Sequence, residues 1–156
     1  QAAAKAAAAA AVADGGPVIC ILFFSASFSV LTEALPLSWL LRVPYLATSL
    51  LSEELSVDQS SSCPQQQHVF GLNCTPGTPP VRYLRCLYLL AFQPSIWPSL
   101  MTSASEVLGF LPIADHLRFQ ECWDACMAFL ASSPWSCDEE AAIRATLFSL
   151  TMKPSP

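Results

Sequence analysis

Between Ser105 and Leu150 the apolar residues recur at helical spacing in successive stripes, break at Pro134-Trp135, and restart behind a capped N-terminus. Leu108, Leu111, Ala114 and Leu117 make the first stripe; Phe119, Cys122, Trp123, Cys126, Met127 and Leu130 make the second. A helix with an apolar stripe must bury it against another element, so stripes in tandem predict stacked helices. Pro112 is expected to kink or restart the first of them. Ser136-Cys137-Asp138-Glu139 reads as a capping box: the Ser136 hydroxyl accepts from the Glu139 amide and the Glu139 carboxylate accepts from the Ser136 amide. Acidic residues in that turn suit the positive end of the helix dipole. Ile143, Leu147 and Leu150 then bury the last helix, and Lys153-Pro154 stops it.

With 156 residues, of which 53% are hydrophobic, the chain can bury one sizeable core, and a single domain is expected. Only 12% of residues are charged, which leaves apolar surface for a partner or the rest of a longer chain to cover. A net charge of -5 with no Lys/Arg cluster argues against nucleic-acid binding. The seven cysteines (Cys20, Cys63, Cys74, Cys86, Cys122, Cys126 and Cys137) are odd in number and sit mostly inside apolar stripes. They fit reduced thiols in an intracellular protein, cytoplasmic or nuclear, better than a disulfide framework. The apolar run Val18 to Phe24 is far short of a membrane span, so no transmembrane helix is expected. Asp14 and Gly15-Gly16-Pro17 precede that run, the wrong order for a signal peptide. Opening on Gln1, the sequence reads as a piece of a longer chain.

Along the chain, residues 1–16 are an alanine-rich tail, disordered or transiently helical because alanine alone supplies no stripe to pack. Val18 to Phe24 has the β-branched and aromatic content of a buried central strand, and Ser25 to Val30 alternates as a half-exposed one does. From Leu35 to Leu55 the period becomes helical, with Pro36 and Pro44 each suited to a first turn, so two short helices are expected. Val57 to Gln67 reads as an exposed loop. Next comes a strand from His68 to Cys74 with Phe70, Leu72 and Cys74 on one face. A helix from about Val81 places Val81, Leu84, Leu87, Tyr88 and Ala91 on one side. Residues 93–104, with Pro94 and Pro98, form a loop, and residues 105–152 are helices of the same domain. The fold class is α+β: a small sheet flanked by helices, with a C-terminal helical extension.

These residues resemble the BTB/POZ domain, and in particular plant BTB/POZ proteins whose domain ends in a leucine-rich helix pair, a Pro-Trp step and an acidic helix. Pro17 to Phe24 is similar to the family's opening strand, and Leu35 to Leu51 to its helical hairpin. Val81 to Phe92 is similar to the helix after the third strand. The most specific segment is Val107 to Ile143, where Cys122-x-x-x-Cys126, Phe129-Leu130, Pro134-Trp135 and Glu139-Glu140 keep the plant subfamily's spacing. Pro17 and Pro36 stand where the family usually carries an Asp and a His near its dimer groove. Val43 replaces the Ser before the second helix, and Leu90-Ala91-Phe92 replaces an aromatic-Thr/Ser ending. The resemblance implies residues 17–92 as the strand–helix core. It also implies a non-catalytic adaptor that recruits a cullin-type scaffold of a ubiquitin ligase, with self-association as a further property. An oligomerisation module without a ligase role is the alternative.

Several constellations invite chemistry. Cys122 and Cys126 lie one helical turn apart, but a tetrahedral zinc site needs two more ligands, and no Cys/His pair accompanies them. They read as core thiols beneath Trp123 and Met127, with a metal or redox role for Cys122, Cys126 and Cys137 as the alternative. His116 beside Asp115 suggests a base and its orienting carboxylate, yet neighbours on a helix point about 100° apart. His68 reads as a strand-end residue. No Gly-rich phosphate loop, Gly-x-Ser-x-Gly elbow or His-Glu-x-x-His motif is present, and no cofactor or metal site is expected. Aromatic anchors in loops often become interface hot spots, so Phe92 and Trp97 are the candidate partner contacts, while Trp135 is expected to pack in the core.

Overall fold

The computed structural model describes residues 2–13, 17–26, 30–54 and 68–152. Val18–Phe24 forms β1, and its side chains alternate: Ile19, Ile21 and Phe23 are buried, while Val18, Cys20 and Leu22 are half-buried on the opposite face. β2, Val30–Pro36, pairs antiparallel with β1, from Phe24↔Val30 to Val18↔Pro36. β3, His68–Asn73, pairs parallel on the other side, from Ile19↔His68 to Phe24↔Asn73. The order β2-β1-β3 makes β1 central, as its composition predicts. The second strand, however, begins at Val30, and Leu35 and Pro36, expected in a helix, belong to it. Register explains the shift: Leu35 faces Ile19, and both are buried. Of the expected strand from 25 to 30, residues 27–29 lie outside the described residues, as does the expected loop from 57 to 67.

Between β2 and β3 the chain forms α2, Leu37–Leu40, and α3, Pro44–Glu54. Pro44 opens α3, where its missing N–H costs nothing. Leu40, Leu46 and Leu50 turn into the core. Before β1, Ala2–Ala13 forms α1, a regular helix set against β2 and not only a tail. Among its described side chains only Ala7 is partly buried; the alanines offer no more than a methyl to pack, and Lys5 is exposed.

After β3, Gly77 turns the chain at φ 82°, a conformation an L side chain resists, and Pro80 opens α4, Pro80–Tyr88. Val81, expected on the inner face, is 54% exposed. Leu84, Leu87 and Tyr88 are buried as expected and Ala91 partly so, and Tyr83 and Cys86 join them, because α4 packs against both the sheet and α6. The span 93–104, expected as a loop, contains a 3₁₀ turn at Pro94–Ile96 and a short helix α5, Trp97–Leu100. Another 3₁₀ turn, Leu89–Ala91, precedes it.

α6, Ala104–His116, runs through Pro112 as one helix. It ends in a Schellman arrangement: Phe119 N–H donates to Ala114 O at 2.8 Å and Arg118 N–H to Asp115 O at 3.3 Å. Arg118 holds φ 52°, where glycine is usual, and Phe119 behind it is buried. α7, Gln120–Ser132, buries Cys122, Ala125, Cys126 and Leu130 against α6. α8, Cys137–Thr151, opens with the expected capping box: Glu139 N–H donates to Ser136 Oγ at 3.2 Å and Ser136 N–H to Glu139 Oε2 at 2.7 Å. It buries Ile143 and, partly, Leu147 and Leu150. The expected stop at Lys153-Pro154 lies outside the described residues. The architecture is thus α+β, a three-stranded sheet with eight α-helices among the described residues. No helix among them is long and apolar enough to cross a membrane.

Candidate partner-binding surface

The end of α4, the 3₁₀ turn after it, α5 and α6 enclose an open cavity of about 360 Å³, with Ala3 of α1 along one side. Its apolar wall is Tyr88, Leu89, Phe92, Leu100 and Phe110. At its rim Arg85 and Glu106 form an ion pair, and Glu106 Oε2 also accepts from the Thr102 amide at 2.9 Å and the Thr102 hydroxyl at 2.7 Å. Glu106 is positioned by the start of α6, where the Ser103 hydroxyl caps its amide at 3.2 Å. The sequence carries this signal as Ser103-x-x-Glu106, the same spacing as Ser136-x-x-Glu139, and it was the clue available for locating the groove. A concave apolar wall with a fixed charge pair at its edge suits an aliphatic or aromatic side chain of a protein partner.

The two sequence-predicted contacts occupy different places. Phe92 is partly buried at the cavity wall, in the extended conformation that ends the 3₁₀ turn. Trp97 is a correction: it has no accessible surface. It was expected in a loop, but α5 turns it inward, edge-to-face on Phe119 at 5.4 Å between ring centroids. Its indole N–H donates to Phe92 O at 3.1 Å, so Trp97 fixes the backbone that presents Phe92. Arg42 adds to this support, with its guanidinium 6.0 Å from the Trp97 ring centre and its Nη1 donating to Leu90 O at 3.1 Å. Trp135 is a correction in the opposite sense, 41% exposed between α7 and α8 instead of packed in the core.

The other constellations resolve into packing. His116 Nδ1 lies 2.7 Å from the Tyr83 hydroxyl, which also accepts from the Thr75 amide at 3.1 Å. This network joins α6 to α4 and to the turn before it. Burial is the largest influence on Tyr83 and raises its pKa, so its phenol stays protonated. Cys122 and Cys126 are buried as core thiols, while Cys137 at the start of α8 is exposed. The hydrogen bond to Cys122, followed by burial, pushes the Cys126 thiol far up. Among the described residues no group of three or more His, Cys, Asp or Glu side chains is placed to hold a metal ion. Cys86, which spacing alone did not single out, lies against Cys122.

No family model, no curated protein and no solved structure matches this chain.

Proposed function

We propose that this chain is a BTB/POZ-type protein-association module that serves as the adaptor between a cullin-type scaffold of a ubiquitin ligase and a substrate bound elsewhere. The observation that carries the reading is the order of elements: two antiparallel strands, a helical hairpin, a third strand parallel to the first, a helix, and then stacked helices. That is the order the resemblance implies for residues 17–92 and for the C-terminal extension. The Cys122-x-x-x-Cys126, Phe129-Leu130 and Pro134-Trp135 pattern falls on α7 and its link to α8. The groove beside Phe92 supplies an apolar contact surface of the kind a partner helix fills. The role is that of an intracellular, non-catalytic adaptor. Isothermal calorimetry of the 156-residue chain against purified cullin N-terminal helices tests it. A saturable complex that weakens with Phe92→Ala is expected; no heat and no co-elution at high concentration overturns it.

A second reading, self-association without the ligase, rests on α8. Phe148 on α8 and Met152 just beyond it, one turn apart, are 63% and 65% exposed and offer two neighbouring large apolar side chains for a second copy to cover. Light scattering across concentration, with and without the cullin fragment, separates the two.

A further inference from the structure

Cys86 on α4 and Cys122 on α7 are both without accessible surface, and their sulfurs lie 3.5 Å apart. Cys126, one turn along α7 and equally buried, is hydrogen-bonded to Cys122. We propose that Cys86 and Cys122 form a peroxide-responsive pair that closes a disulfide between α4 and α7. This oxidation does not depend on the adaptor reading.

Geometry selects the pair. A disulfide holds its sulfurs about 2.05 Å apart, so Cys86 and Cys122 must approach by about 1.5 Å. Two separate helices supply that by rotamer change and a small shift. Cys122 and Cys126 share one helix, whose Cβ atoms four residues apart stand about 5–6 Å from each other. A disulfide needs about 3.5–4.5 Å there, which the helix backbone forbids without unwinding. The hydrogen bond with Cys126 lowers the Cys122 thiol, but the contact with Cys86 and burial outweigh it, and the thiol is held well above its ordinary value. The pair is therefore protonated while it stays enclosed, and contact between the two sulfurs, not thiol acidity, selects it.

The chemistry balances with hydrogen peroxide as oxidant. Peroxide transfers one oxygen to one sulfur of the pair, leaving a sulfenic acid and water. The other sulfur then attacks it, forming the S–S bond and breaking the S–O bond, and the hydroxide leaves with the attacking thiol's proton as a second water. The two thiols are oxidised, and peroxide is reduced. Because the pair is buried, peroxide reaches it through transient opening of the α4–α7 interface, so the reaction is slow at rest. Once closed, the bond ties α4, whose end carries the Phe92 groove, to the C-terminal helices.

The test uses the full chain. Accessible thiols are first blocked with iodoacetamide under native conditions; peroxide is added and quenched; the protein is unfolded, labelled with a second alkylating reagent and mapped without reduction by mass spectrometry. A peptide pair joining Cys86 to Cys122 and lighter by two hydrogens is expected, with a higher unfolding midpoint that dithiothreitol reverses. Cys122→Ala removes both effects; if that variant does not fold, the wild-type map alone decides. Recovery of Cys86 and Cys122 carrying the second label, or linkage of Cys122 to any other cysteine, overturns the proposal.

Discussion

Trp97→Ala measures whether this side chain supports the fold or meets a partner directly. Trp97 is completely buried, stacks edge-to-face on Phe119, donates to Phe92 O and lies beneath the Arg42 guanidinium. Truncating a fully buried tryptophan to alanine costs about 3–5 kcal/mol, which already includes the lost edge-to-face pair and the lost indole hydrogen bond. A domain of this size is stable by about 5–15 kcal/mol, so the loss is a large share of the total. At about 2–4 °C per kcal/mol, the midpoint should fall by about 6–20 °C. Circular-dichroism melts and urea titrations measure this directly. Trp97→Phe keeps most of the apolar volume and loses the N–H, and its cost should be smaller, about 1–3 kcal/mol. A Trp97→Ala protein that melts within about 2 °C of wild type, while binding a partner more weakly, would refute the assignment of Trp97 to the core.

Ser136→Ala takes away the hydroxyl that accepts from the Glu139 amide, while the backbone amide of residue 136 still donates to the Glu139 carboxylate, and should cost about 1 kcal/mol; an unchanged urea midpoint would show that the acidic first turn and the Ile143 anchor suffice. Alkaline pH should also weaken the fold. Burial raises the Cys74 pKa from 9.0 to about 11, so across that range the folded state keeps a proton that the unfolded state has lost. The stabilisation is complete below pH 9.0 and declines as pH rises toward about 11, and the raised Tyr83 phenol acts in the same direction. Urea midpoints taken across this interval test it, with Cys74→Ala as the control; a flat profile in the wild-type chain counts against burial as the cause.

Much of the scaffold was legible because it depends on local periodicity. β1 could be placed by its β-branched and aromatic run, β3 by the alternation of Phe70, Leu72 and Cys74, and α8 by Ser136 and Glu139. The Arg118 turn was not legible, since its left-handed backbone is carried by an arginine where glycine or asparagine would have signalled it. The start of β2 was missed for a different reason. Alternating Ser and apolar residues satisfy a strand pattern anywhere, and pairing with β1 decides which residues take part. At the candidate site, Phe92 was singled out as an aromatic near a proline-rich span, and it lines the cavity wall. Glu106, at the rim of the same cavity, went unread although Ser103-x-x-Glu106 repeats the capping spacing seen at α8.

The amino-acid sequence by itself determined the helical C-terminal third, the central strand and the α+β class, because stripes, caps and strand alternation are written in neighbouring residues. Only the tertiary structure decided which aromatic residues are inside. Trp97 and Trp135 both sit beside prolines, yet the first is enclosed by Phe119 and Arg42 from distant segments, while the second is left exposed at the α7–α8 link. The same holds for Cys86 and Cys122, far apart along the chain and in contact in the core. Burial of a single side chain depends on what packs over it, and that is a property of the assembled helices, not of local spacing.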